Sequence, residues 1–400
     1  MPGLKETTAM LAQLRKQAKA AAGAGPLSGA GEHQLVETRD FGANPGALRM
    51  LSYTPEGLKP GAPLVVVLHG CTQRAEAHAE AVGWLPLADR YGFAVLAPEQ
   101  SPTNNPNRCF NWYEPENAGR GRGEAASIRA MVAHAVREHG LDQGRVFVTG
   151  LSAGGAMTSV MLAAYPDVFA AGAVVAGLPF GVADNLQAAL GAMYAGRAWS
   201  AADLGDLVRA AAPAGGRVPR VSIWHGDADA TVRPHNAVEI AKQWTSAHGL
   251  GAEPDEMQTL PGRTRALWRS PAGEVLVESN LIHGLGHGTP LHTSGPDGVG
   301  TAAPYMLEAG VSSSLEIARF WGIAPAGEAT RAADASTPSK PQPKPRSKPR
   351  AKPEQPRASI PPRPDGAAIG EQVMATVSRH VPPGVQDVIS KARKTAGLLK

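Results

Sequence analysis

Two cysteines in 400 residues, Cys71 and Cys109, are too few for a disulfide framework and supply no thiolate set for zinc. Aromatic residues make up only 5% of the chain, so a local cluster of them stands out. No run approaches the ~20 apolar residues that a membrane span requires. The start, Met1-Pro2-Gly3-Leu4-Lys5-Glu6, leads into an Ala/Lys-rich amphipathic stretch without the continuous apolar segment of a Sec signal peptide. The default compartment is therefore cytoplasmic, unless export uses another route. No internal repeat is visible.

What the chain does have is apolar material for a sizeable core, 43% of its residues. The formal charge of +4 is unevenly placed. Residues 331–364 hold nine Lys and Arg against two acids, a surplus of seven, which leaves the remainder at −3. Ten prolines fall in the same 34 residues, so this stretch builds neither helix nor sheet interior and reads as a basic polyproline-like linker.

The order of elements points to an α/β fold, a mostly parallel sheet with helices on both faces and a short helical insertion. Residues 33–41 and 47–54 alternate around Gly-Ala-Asn-Pro-Gly and read as an antiparallel hairpin. Continuous apolar runs at Pro63 to Leu68 and Phe93 to Pro98 read as strands buried on both faces, with one helical segment between them at about 76–90. A helix at 123–139 leads to a strand at 145–149, and further strands are expected at 170–176 and 218–224. An Ala/Leu-rich helical insertion spans 184–212, and a helix at 235–248, a hairpin-like stretch at 264–283 and a last helix at 313–321 follow. The expected domain plan is an N-terminal helix and spacer (1–32), a catalytic domain (33–325), a disordered basic linker (326–365) and a short helical end (366–400).

The chemistry centres on Arg145-Val146-Phe147-Val148-Thr149-Gly150-Leu151-Ser152-Ala153-Gly154-Gly155. A β-branched strand runs into Gly-x-Ser-x-Gly and a small-residue helix starts at once, the setting of a nucleophile elbow. Such an elbow lifts the serine hydroxyl above the sheet and aims the helix N-terminus at the reaction centre. Acyl transfer also needs a base, an acid to orient it, and oxyanion donors, and on this fold the order is Ser, acid, His. After Ser152, the strand Val221 to Trp224 runs into His225-Gly226-Asp227-Ala228-Asp229. Carboxylates at the C-terminal end of a parallel strand lie where α/β sheets place their sites. Asp229, deeper in the loop, is the candidate acid, and Asp227 the turn-former. His287, in Gly284-Leu285-Gly286-His287-Gly288, is the candidate base, with His283 near the strand as a structural histidine. His225, His235 and His292 default to structural or surface roles. The backbone N–H groups of Ala153 and Cys71 are the candidate oxyanion donors. Neither a cofactor nor a metal is expected.

Leu68-His69-Gly70-Cys71-Thr72-Gln73, Arg108-Cys109-Phe110-Asn111-Trp112-Tyr113, Gly150-Leu151-Ser152-Ala153-Gly154, Trp224-His225-Gly226-Asp227-Ala228-Asp229 and Gly284-Leu285-Gly286-His287 together resemble the poly(3-hydroxybutyrate) depolymerase family of esterases, of the α/β-hydrolase superfamily and related to feruloyl and acetylxylan esterases. The resemblance spans about 33–322 and leaves out the basic tail. It implies an α/β-hydrolase fold, hydrolysis of hydroxyalkanoate polymers, oligomers or short-chain esters, and Ser152, Asp229 and His287 as the triad, with Cys71 on the oxyanion loop. Secreted members of the family carry a signal peptide and often a polymer-binding module, and neither is visible in this sequence. Cys71 and Cys109 would pair as a disulfide in an exported protein and remain thiols in the cytoplasm. Phe110, Trp112 and Tyr113 either line an apolar cleft or plug the core beneath the loop.

Two other functions fit the same residues. A carbohydrate esterase of the feruloyl or acetylxylan type would use the same triad with a different cleft. A protein of another class would bind through its basic tail to an anionic surface or granule over a degenerate core, since Lys and Arg supply phosphate affinity without sequence preference. No specific nucleic-acid motif accompanies the tail.

Overall fold

Strands covered on both faces lose the alternation of half-exposed ones, and the centre of this protein is made of such strands. The computed structural model describes residues 33–194, 196–213 and 215–326. Within them, β1 (Val36–Thr38) and β2 (Arg49–Tyr53) pair antiparallel, as expected of the hairpin. Then come β3 (Leu64–Leu68), helices α1 (Ala75–Ala81) and α2 (Trp84–Tyr91), and β4 (Ala94–Glu99). Helix α3 (Gly123–His139) precedes β5 (Val146–Leu151), and α4 (Ala153–Ala164) precedes β6 (Ala171–Val175). Helices α5 (Leu186–Tyr194) and α6 (Ala201–Ala211) lead to β7 (Arg220–Gly226), and α7 (His235–Ala247) leads to β8 (Glu256–Leu260), β9 (Arg263–Arg269) and β10 (Val275–Ile282). Two short strands, β11 (Thr289–Leu291) and β12 (Met306–Glu308), and helix α8 (Ser313–Trp321) complete the described chain. The expected N-terminal helix, the linker beyond 326 and the C-terminal helical segment lie outside the described residues.

Ten strands form one sheet in the order β1-β2-β4-β3-β5-β6-β7-β10-β9-β8. The six from β4 to β10 run parallel, and an antiparallel pair closes each edge. Successive residues of β3 serve opposite faces. Leu64, Val66 and Leu68 join the core under α3, α4 and α7, while Val65 and Val67 join the core under α1, α2 and α8. In the second core Trp321 stacks between Trp84 and Phe147, with ring centroids 5.4 and 5.0 Å away.

Three expectations need correction. The single helix at 76–90 is broken into α1 and α2 at Gly83, whose φ of 85° lies in the left-handed region. A Cβ there would press to 3.0 Å on Val299 and on the N of Gly300, and the carbonyls of Ala81 and Val82 are taken by Thr301 and Ser314 instead of by a continuing helix. The insertion at 184–212 holds two helices, α5 and α6, with 196–200 outside either. The 264–283 stretch is the β9–β10 hairpin, but its second strand also pairs parallel with β7, and β8 extends the sheet beyond it.

Candidate active site

Ser152 occupies the turn between β5 and α4 with φ 58° and ψ −116°, a conformation few L-residues adopt without being held there. Its N–H donates to the carbonyl of Val175 at 2.9 Å and its carbonyl accepts from Ala156 at 2.8 Å. The flanking glycines are fixed by contact. A Cβ on Gly154 would lie 2.2 Å from the carbonyl oxygen of Leu68, and one on Gly150 would lie 2.5 Å from the backbone of Gly154. Strand β3, the elbow and α4 therefore approach backbone to backbone.

The loop after β3 is held by its own polar groups. His69 is fully buried, and its Nδ1 donates to the carbonyl of Gly70 at 2.7 Å while Nε2 accepts the N–H of Gln100 at 3.1 Å. Burial pushes its imidazole down to about 4, so it is a neutral strut. The N–H of Gly70 donates to Gln73 Oε1 at 2.8 Å, and the Gln73 amide reaches Met306 Sδ at 3.7 Å. Cys71 and Ala153 both line the cavity described below, and neither N–H donates to a backbone carbonyl among the described residues. Two backbone amides beside a cavity, with no carbonyl partner among the described residues, are free to receive an incoming oxygen.

Cys71 and Cys109 are joined as a disulfide, which ties the loop after β3 to the aromatic loop. Beneath the aromatic loop, the buried carboxylate of Glu124 takes the Gln100 amide at 2.6 Å and the Asn111 amide at 2.8 Å on Oε1, and the N–H of Asn111 at 2.8 Å on Oε2. Burial raises Glu124 to about 7 despite those hydrogen bonds. Phe110 is fully buried and belongs to the core, 4.9 Å from the His69 ring, whereas Trp112 and Tyr113 line the cavity. Trp112 also belongs to the buried core, so of the three only Phe110 is core alone.

Asp229 Oδ2 lies 2.7 Å from His287 Nδ1. Its Oδ1 accepts the N–H groups of Thr231 at 2.8 Å and Val232 at 2.9 Å, and His225 Nε2 stands 3.4 Å from Oδ2. Burial alone would raise this carboxyl, but the nearby His225 and the hydrogen-bonded His287 outweigh it and hold Asp229 well below the usual carboxylate range. Asp227 instead accepts the N–H of Gly284 at 2.7 Å and shapes the turn. His283 contacts Thr264 Oγ1 at 3.0 Å, and His292 Nδ1 lies 3.5 Å from Glu308, both away from Asp229's partners.

A cavity of about 430 Å³ opens over these groups. Its lining includes Leu151 and Ala153, on either side of Ser152, together with His287 and Thr231. Leu178, Leu186, Leu190 and Met193 form an apolar wall, and Asn104, Asn105 and Asn107 a polar rim. Sequence reading missed Tyr305, which lines the cavity at φ 68° with its ring edge-on to His287 at 6.0 Å. Nothing local marks it, because the small β11–β12 sheet brings it in. It also missed the contact of His225 with Asp229, for which the adjoining His-Gly-Asp was the only signal. Among the described residues no group of three or more His, Cys, Asp or Glu side chains is set to hold a metal, and no helix is long and apolar enough to cross a membrane.

The family described as Esterase PHB depolymerase matches residues 49–255. Poly(3-hydroxyalkanoate) depolymerase C of Paucimonas lemoignei is 44% identical over 299 residues, 74% of this chain and 72% of that protein. An acetylxylan esterase of Coprinopsis cinerea is 36% identical over 264 residues, 64% of this chain and 70% of that protein. Among solved structures, the acetyl xylan esterase from Aspergillus awamori aligns with a TM-score of 0.63 at 25% identity, over 73% of this chain and 100% of that one.

Proposed function

This chain belongs to the Esterase PHB depolymerase family, and from that premise we propose that it cleaves hydroxyalkanoate oligomers, polymers or short-chain esters through an acyl-enzyme on Ser152. It is a serine esterase of the α/β-hydrolase fold. The observation that carries the reading is the 2.7 Å contact of Asp229 with His287 Nδ1, at a cavity bounded by the neighbours of Ser152. With Nδ1 engaged, the Nε2 of His287 is left to take the serine proton. Ser152 Oγ attacks the ester carbonyl carbon, and the oxyanion that forms is held by the N–H groups of Cys71 and Ala153. The alcohol leaves with the proton from His287. Water then attacks the acyl carbonyl, gives its proton to His287, and the acid departs as Ser152 recovers its own. The wall of Leu178, Leu186, Leu190 and Met193 suits an apolar acyl chain.

A second reading, deacylation of an acetylated or feruloylated carbohydrate, is favoured by the amide rim of Asn104, Asn105 and Asn107 and by the acetylxylan esterase relatives. Hydrolysis of a 3-hydroxybutyrate trimer and of acetylated xylan, assayed side by side, separates the two. Labelling of Ser152 by a fluorophosphonate, and loss of p-nitrophenyl butyrate hydrolysis in Ser152→Ala, test the nucleophile. Undiminished turnover in that variant refutes the scheme. The basic segment at 331–364 we read as an anchor to an anionic surface, separate from the chemistry.

A further inference from the structure

We propose that His225 is a positioning residue of this esterase, a second imidazole on Asp229 that sets how strongly Asp229 holds His287. The inference rests on the reading of Asp229 and His287 given above. His225 ends β7, its side chain is 0% exposed, and so is that of Asp229. Its Nε2–H donates to the carbonyl of Val232 at 2.8 Å, which fixes the tautomer, and the same nitrogen stands 3.4 Å from Asp229 Oδ2. Its Nδ1 is buried with no partner among the described residues, so no second proton has a place to bond there.

Asp229 thereby has three hydrogen-bond donors, two backbone N–H groups on Oδ1 and His287 on Oδ2, and the His225 Nε2–H, given to Val232, stands 3.4 Å from Oδ2 as a longer contact. The positive end of the His225 N–H dipole beside Oδ2 draws negative charge away from His287 and weakens the pull that favours the imidazolium. It also prevents the carboxylate from rotating away from the His287 ring. Other ionisable groups face the pair from neighbouring elements, namely Tyr194 at the end of α5, Arg233 and His235 at the start of α7, and Tyr305 against His287. None of them is hydrogen-bonded to Asp229, whereas His225 Nε2 stands 3.4 Å from its Oδ2. His225 is buried and does not line the cavity.

The test is the pH profile of p-nitrophenyl butyrate hydrolysis by the full chain. His225→Leu removes the donor and keeps the bulk. It should lower kcat about tenfold with KM unchanged, because orientation of the base is lost and binding is not. The acid limb of kcat/KM should move to higher pH by about half a unit, since Asp229 now stabilises the His287 imidazolium more strongly. His225→Gln, whose amide can donate to both Val232 and Asp229, should return the limb to its original place. A limb that stays put in folded His225→Leu overturns the proposal, whatever happens to kcat. If His225→Leu does not fold, the histidine-labelled wild type and Asp229→Asn are compared by nitrogen NMR. A His225 Nε2–H signal that moves on Asp229→Asn supports the contact, and one that does not refutes it. Retained turnover in Ser152→Ala would sink the underlying esterase scheme and this proposal together, whereas Ser152 dependence with an unmoved limb sinks this proposal alone.

Discussion

The carboxylate of Asp227 accepts the N–H of Gly284 at 2.7 Å, so the acid loop and the histidine loop are pinned together just beside the Asp229–His287 pair. Two further backbone bonds, Asp227 to Ile282 and Ala228 to Leu285, complete the seam. The two aspartates therefore divide the labour, one joining loops and the other holding the imidazole.

That division predicts different outcomes for the same substitution. Asp229→Asn should lower kcat by a factor on the order of 10⁴, because the imidazole loses its orienting charge. Asp227→Asn keeps an acceptor for Gly284 and should stay within severalfold of wild type. Asp227→Ala should cost about 1 kcal/mol in urea unfolding, the scale of one lost hydrogen bond. A larger kcat loss in Asp227→Asn than in Asp229→Asn would reverse the assignment.

The disulfide encloses a loop across 38 positions and has Cys71, whose N–H we propose as an oxyanion donor, at one end. Cys109→Ser should lower stability by about 4 kcal/mol, the chain-entropy estimate for a loop of this size. Turnover should drop as well, since the Cys71 N–H loses one of its anchors. Thermal melts and esterase assays with and without reductant check both effects. Reduced protein with full activity would mean that the Gly70, Gln73 and His69 contacts hold the loop unaided.

Leu186 is 50% exposed at the mouth of the cavity, so a polar replacement there costs the fold little. Leu186→Asp should lower kcat/KM for p-nitrophenyl hexanoate about tenfold relative to the acetate, the value of roughly two buried methylenes. An unchanged ratio would place the acyl chain elsewhere.

Stability should fall on acidification. Burial pushes the imidazoles of His69 and His78 down to about 4 and about 3. Unfolded, each takes a proton near 6.5. Between about pH 6.5 and 4 the unfolded chain thus binds more protons at these two sites, and stability drains as pH drops through that window. Glu124 opposes them, because its folded value near 7 lies above its unfolded 4.5 and the folded chain takes the extra proton. Two histidines outweigh one glutamate, so Tm should be lower at pH 5 than at pH 7. In His78→Leu the slope of stability against pH should shrink by about one proton over this window. An unaltered slope would show that His78 is not buried neutral.

A chain ending at residue 326 should keep wild-type turnover on soluble esters, since Ser152, Asp229, His287 and the ten-stranded sheet all precede it. Binding to anionic vesicles should weaken in that shorter chain, and the full chain's binding should weaken with salt, because exposed charges are screened within ~10 Å at 0.1 M. Equal, salt-insensitive binding by both would leave the basic segment as a tether.

Local features were the legible ones. The elbow, the runs of β3 to β7 and the Ser–Asp–His order are written in contiguous residues, because a buried strand or a tight turn dictates its own composition. Edge and long-range features were not. β8 has a single partner and the mixed sequence Glu256-Met257-Gln258-Thr259-Leu260, so its periodicity is weak. β11 and β12 have three residues each, too few for any period. The break at Gly83 depends on Val299 and Gly300, more than two hundred residues away. Tyr305 and the second role of His225 exist only once loops from distant parts of the chain meet.

Helix α5 sits in the excursion that leaves β6 and returns to β7, two strands already paired side by side in parallel. A crossover between such neighbours needs one covering helix, and α6, with Leu204 and Val208 buried, is sufficient. α5 is thus surplus to the connection. Its Leu186 and Met193 line the cavity without belonging to any strand, while Ala189 and Leu190 are buried. Most of the apolar side of the cavity, Leu186, Leu190 and Met193, therefore sits on a stretch of chain apart from the loops that carry Ser152, Asp229 and His287.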